Sequence, residues 1–298
     1  MDNLNFCFEN LSFNQILDNK EYYQKKIIDN KLIGFKKIQL SDNEHEKIAS
    51  TITGVDEFYW IKKYNHHTLY QPDKETATKE DIKNFRDWCM HLDVTPIIDK
   101  SNNILDNNSH SSYVSMNMKT FKCDKKYGKT VFLDLIKLNN FCPDYFKQKL
   151  LKSKLEYHIS KAKDFNIDAP KKLEVNRAEY DSDLEAEIAN AKIDPISGIF
   201  YAFRTHPLTK ETILFWPTYL SSQLVGGSKP WFEEFKLWIK SYLDEESNWI
   251  EWLWDEGDIL IFDNKCMLHS FTPGWKPEER VFSQIILGYD EPFFEGLN

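Results

Sequence analysis

The second half of this chain is a succession of short apolar runs separated by turns. They are GIFYAFRTHP (198–207), TILFWP (212–217), WIEWLW (249–254), DILIFDN (258–264) and RVFSQIILGY (280–289). Segments of this length, punctuated this regularly, predict strands. Earlier, LIGFKKIQL (32–40) reads as a strand, and YVSMNMKTFKC (113–123) alternates loosely with period two. GKTVFLDLIKL (128–138) reads as a strand or a strand-to-helix turn. Helical spacing is confined to 14–30, to the segment after Ser41, to PDYFKQKLLKSKL (143–155) and to KPWFEEFKLWIKSYLDEE (229–246). Ser41 with Glu44 three residues on is a capping-box signature, and Pro230 suits a first helical turn. Many short strands with helices beside them predict a mainly β fold, a barrel or jelly roll buttressed by flanking helices.

With 298 residues, 41% of them hydrophobic, the chain is long enough for one large domain or two small ones. The aromatic complement of 21 Phe, 14 Tyr and 9 Trp predicts an aromatic-lined pocket. A net charge of −9 argues against a nucleic-acid partner, which needs clustered Lys and Arg. The five cysteines form no CxxC pair, so free thiols in a reducing cytoplasm are expected rather than a disulfide framework. No apolar stretch approaches the roughly eighteen residues of a membrane span, and the N-terminus lacks the pattern of a secretory signal. A cytoplasmic protein without a membrane partner is therefore expected. Nucleotide-loop and hydrolase-elbow motifs are also absent from the sequence.

Residues 90–95 read MHLDVT. On a strand, residues i and i+2 face the same way, so His91 and Asp93 would converge on one cation. Two ligands hold a metal poorly, and the best third donor lies in WDEGDILIFDNKCMLHS (254–270), where a turn opens an apolar strand and His269 follows a second turn. Two histidines and a carboxylate form the facial set that leaves three positions open and suits non-haem Fe(II). Eleven residues after His269 comes Arg280, which grips carboxylates through two parallel hydrogen bonds. The bland alternatives are a hydrogen-bonded core histidine at 269 and a surface pair between Arg280 and Glu278 or Glu279.

Taken in order, HLDVT, GKTVF, FRTHPLT, GDILIFDNKCMLH, ER and ILGYDEPF resemble the Fe(II)/2-oxoglutarate oxygenases of the taurine dioxygenase (TauD/TfdA) family, over most of the chain. The resemblance implies a double-stranded β-helix, or jelly roll, built as a single oxygenase domain over residues 1–298. It carries His91, Asp93 and His269 over as iron ligands and catalytic centre. Arg280 and Thr130 are carried over as partners of the distal carboxylate of 2-oxoglutarate, and His206 as a scaffold residue. Tyr64, His66 and His67 fall in a region that lies near the primary substrate in the family. Gln284 stands where many relatives have a second Arg, so a neutral polar group on the substrate is expected there and taurine is not. Two insertions are expected, an Asn/Asp/Ser-rich loop at about 96–112 and, at 159–195, a charged stretch that suits an exposed excursion or a partly helical lid.

The implied activity is hydroxylation of an unactivated C–H bond of a small amino-acid-like metabolite, using Fe(II), 2-oxoglutarate and O2 and releasing succinate and CO2. A carboxylate at position 93 disfavours halogenation. Two other readings stand beside this one: a desaturating relative in isonitrile-type or other secondary metabolism, and a non-catalytic jelly-roll binding module. The implied partner is a small molecule, with self-association into a homo-oligomer left open.

Overall fold

The computed structural model describes residues 5–56, 58–64, 78–79, 90, 92, 97–98, 104–106, 111–158, 197–216, 222–275 and 277–289. Along the chain the elements are β1 (Cys7–Phe8), α1 (Phe13–Asp18), α2 (Lys20–Asn30), β2 (Leu32–Phe35), α3 (Asp42–Thr53) and β3 (Phe58–Tyr64). Next come β4 (Ile97–Ile98), β5 (Ile104–Asp106), β6 (Ser111–Phe121), β7 (Thr130–Asp134), α4 (Leu135–Phe141), α5 (Asp144–Leu150) and β8 (Lys154–His158). Then follow β9 (Ser197–Tyr201), β10 (Phe203–Thr205), β11 (Thr212–Leu214), β12 (Ser222–Leu224) and α6 (Pro230–Asp244). The last four are β13 (Ile250–Trp252), β14 (Ile259–Asp263), β15 (Met267–Phe271) and β16 (Arg280–Tyr289).

A six-stranded major sheet runs β1-β2-β14-β6-β16-β3, and a minor sheet runs β13-β7-β15. Every described pairing is antiparallel except β1 with β2. The two sheets face one another across a shared core, where the Phe132 and Phe262 rings meet edge-on at 5.0 Å. This is the mainly β, jelly-roll architecture expected from the strand pattern.

Burial on both faces explains the unbroken apolar run of β14. Leu260 and Phe262 belong to the core between the sheets, while Ile259 and Ile261 belong to a second cluster with Ile16, Ile27, Ile48 and Ile52 of the N-terminal helices. Each large side chain buried this way stabilises the fold by roughly 1.5–3 kcal/mol. α3 begins where its sequence says: Ser41 Oγ accepts from Glu44 N, and the Glu44 carboxylate accepts in return from Ser41 N. α6 opens on Pro230 at its first turn and buries Phe232, Phe235, Ile239 and Leu243.

Several boundaries differ from the sequence expectation. The helix expected over 14–30 is two helices, broken at Asn19, whose N–H caps α1. The strand expected over 32–40 stops at Phe35, and the left-handed backbone of Lys37 turns the chain away. The helix expected through 155 ends at Leu150, because the next residues are drawn into β8, which pairs with both β9 and β12. Within the expected loop at about 96–112, β4 and β5 form a short antiparallel ladder and β6 starts at Ser111. The excursion at 159–195 lies outside the described residues.

Candidate active site

The site grows from β7 and β15. In their register His269 is opposite Phe132, and Phe271 is opposite Thr130. Directly opposed residues share a face of a sheet, as do residues two apart, so these four side chains project together. His269 and Thr130 are therefore diagonal neighbours, a spacing of roughly 7–8 Å. Their face looks across at the major sheet: the His269 ring lies 4.8 Å from that of Phe262 and 6.0 Å from that of Phe132. Aromatic packing thus fixes the imidazole plane.

Arg280 enters from the major sheet, at the start of β16, and is almost completely buried. Its Nε donates to the Gly128 carbonyl at 3.0 Å, and Nη2 donates to Thr130 Oγ1 at 3.3 Å. Gly128 is left-handed (φ 67°), and a Cβ there would stand 3.2 Å from Arg280 Cδ. A glycine is required at this turn for both reasons. The guanidinium is boxed by the rings of Phe282, Trp275 and Phe271 at 4.8, 5.2 and 5.9 Å. Burial pushes its pKa down to about 10, with Cys123 opposing, so it stays charged at neutral pH.

No carboxylate among the described residues pairs with this guanidinium, and the surface ion pair with Glu278 or Glu279 does not form. Thr130 Oγ1 accepts a second hydrogen bond, from Trp254 Nε1 at 2.9 Å. A hydroxyl has two acceptor lone pairs and one proton. With both lone pairs engaged, only the proton remains to be given, and no acceptor for it lies among the described residues. Arg280 and Thr130 thus make a buried cradle of donors whose positive charge meets no counter-charge among the described residues. Burying a charge costs several kcal/mol unless a counter-charge joins it. The chemistry this donor set fits is a carboxylate, with His269 one short step away.

His91 and Asp93 lie outside the described residues, although Met90 and Leu92 are both buried in the core between the sheets. His66 and His67 also lie outside them. Tyr64 ends β3, where its backbone pairs with Phe282. Gln284 lies on β16 opposite Met116 of β6, and alternation from Arg280 through Phe282 puts it on the same interior face.

One buried group has the composition of a metal site: His206, Asp263 and Cys266 approach within 4.8 Å. Its polar atoms are already engaged with one another and with their neighbours. His206 Nδ1 accepts from the Leu208 and Thr209 backbone, so the ring proton sits on Nε2 and is donated to Asp263 Oδ2 at 2.8 Å. Lys265 holds the other Asp263 oxygen at 3.2 Å. His206 is a scaffold residue that pins the turn before His269. His45 is also withdrawn from chemistry, bridging Ser115 and Ser283 under α3, and burial, with Lys119 adding to it, lowers its pKa to about 3.

Trp254, Gly128 and the aromatic box around Arg280 escaped the sequence reading. Trp254 and Thr130 stand 124 residues apart, and WLW reads simply as core aromatics.

A family model, that of "Taurine catabolism dioxygenase TauD, TfdA family", matches residues 114–285, more than half of the chain. Among solved structures, AAD-2 in complex with Mn(II) and N-oxalylglycine is 13% identical with a TM-score of 0.64, over 97% of this chain and 96% of that one. A taurine dioxygenase from Burkholderia xenovorans is 13% identical with a TM-score of 0.59, over 94% and 85%. At such identities these likenesses establish the shared fold.

Proposed function

The chain belongs to the TauD/TfdA family of dioxygenases, and we propose that it hydroxylates an unactivated C–H bond of a small amino-acid-like metabolite. Enzymes of this family use Fe(II), 2-oxoglutarate and O2. The observation that carries the reading is the buried, donor-only pair Arg280 and Thr130 a diagonal step from His269. A dicarboxylic 2-oxo acid satisfies both ends at once, with its distal carboxylate in the cradle and its 2-oxo end toward the imidazole. N-oxalylglycine, the molecule bound to AAD-2, is a diacid of the same length.

His91, Asp93 and His269 are the residues that would hold the iron, three protein ligands leaving three positions for reactants. When bound, the metal couples oxidative decarboxylation of 2-oxoglutarate to oxidation of the substrate. The chain's own part is positional. Arg280 neutralises the distal carboxylate and Thr130 donates to it, which fixes the direction of the carbon chain. Phe132 and Phe262 hold the His269 ring, and the rings of Phe271, Trp275 and Phe282 shut water away from the cradle. Gln284 offers an amide, so the preferred substrate presents a neutral hydrogen-bonding group there beside an apolar segment facing Met116.

The test is a screen of amino acids and small acids with Fe(II), 2-oxoglutarate and ascorbate, reading succinate and product mass. A substrate that stimulates succinate release and gains one oxygen supports the proposal. A product that loses two hydrogens turns it to desaturation, and no succinate with any substrate overturns it.

A further inference from the structure

We propose that Trp254 is a positioning residue for the co-substrate, setting the direction in which Thr130 gives its proton. The inference rests on the reading of Thr130 and Arg280 as the cradle for the distal carboxylate. Trp254 follows β13, whose Trp252 is paired with Thr130, and its indole is fully buried. The Trp252 ring meets it edge-on at 6.0 Å and fixes its plane. From that position Nε1–H reaches Thr130 Oγ1 at 2.9 Å, while Arg280 Nη2 reaches the same oxygen at 3.3 Å.

An indole N–H donates and never accepts, and a guanidinium does the same. Together they fill both lone pairs of one hydroxyl, so its proton can leave only toward a third group. Without the indole donor, one lone pair is released and the hydroxyl rotor is free to turn away from the carboxylate. The tryptophan therefore acts on the co-substrate through Thr130, without touching it. Arg280 gains as well, because the oxygen it donates to is held in place.

A role in packing alone predicts something different, and the two are separable by ligand. Binding of 2-oxoglutarate and of 2-oxobutyrate, a 2-oxo acid without a distal carboxylate, is measured by calorimetry on the Mn(II)-loaded protein. For Trp254→Phe the expected result is 2-oxoglutarate weakened about three- to tenfold, the value of one lost hydrogen bond, with 2-oxobutyrate unchanged. In a Thr130→Val background the same substitution adds nothing further. Equal weakening of both acids, or an undiminished effect in the Thr130→Val background, overturns the proposal. If Trp254→Phe does not fold, Thr130→Ser and Thr130→Val decide: Ser keeps the preference for 2-oxoglutarate and Val loses it, and equal behaviour overturns it. Arg280→Met is the control for the underlying reading. Full 2-oxoglutarate binding in that variant refutes the cradle itself, whereas its loss there together with unchanged binding in Trp254→Phe refutes only the role of the tryptophan.

Discussion

His206 donates from Nε2 to Asp263 Oδ2 across 2.8 Å, in a pair sealed from solvent on every side. Burial alone would push the Asp263 carboxyl up, but Lys265 and His206 outweigh it and hold it below its ordinary value. A carboxyl depressed on folding contributes stability above the ordinary Asp range, near pH 4, and that contribution disappears as pH falls through the lower folded value. Asp263→Asn removes the buried ion pair with Lys265 and the charge that accepts from His206, and is expected to cost about 3–5 kcal/mol near neutrality. Urea unfolding should show the gap from wild type shrinking below about pH 4. The metal content of His206→Gln should match wild type, since the hydrogen bonds of this cluster already engage its donor atoms.

On the proposed reading, the buried charge of Arg280 is compensated only when the co-substrate carboxylate binds. Removing a buried charge that has no counter-ion among the described residues is expected to leave the fold within about 1 kcal/mol of wild type, or above it. Arg280→Met should therefore unfold at a similar denaturant concentration without ligand. Wild type in its Mn(II) form should gain about 2.7 kcal/mol at a hundredfold excess of 2-oxoglutarate over Kd, and the variant should gain nothing. A variant that is badly destabilised without ligand would mark Arg280 as structural.

Gln284 and Arg280 lie on one strand and one interior face, yet different ligands are expected at the two. Gln284→Ala should raise KM for the primary substrate about tenfold, the value of a hydrogen bond in a dry site, and leave KM for 2-oxoglutarate unchanged. Gln284→Arg should shift preference toward anionic substrates. Parallel changes in both KM values would contradict this division.

At Gly34 the limit is space. A Cβ built there would run into the Trp252 ring. Gly34→Ala is expected to cost about 1–3 kcal/mol by overpacking. Pairing it with Trp252→Leu should recover part of that loss, since the second change removes the obstructing ring.

Local signals in the sequence were the legible ones. The Ser41–Glu44 cap, Pro230 in the first turn of α6 and the doubly buried run of β14 each follow from residues within one turn or one strand of each other. The end of α5 was not legible, since LKSKL suits a helix and only pairing with β9 and β12 makes part of it a strand. The same holds in the site. Arg280 and Thr130 follow from the family resemblance, but Trp254, closer still to Thr130, carries no pattern that tells it from a core aromatic. His206 was legible as scaffold from the resemblance, and its hydrogen bonds agree, although its grouping with Asp263 and Cys266 has the composition of a metal site.

The most direct test is an anaerobic titration of the Fe(II)-loaded protein with 2-oxoglutarate, followed by visible absorption. A weak charge-transfer band that saturates in wild type and is absent in His269→Ala is expected. A wild type that stays colourless, or a His269→Ala variant that develops the same band, would contradict it.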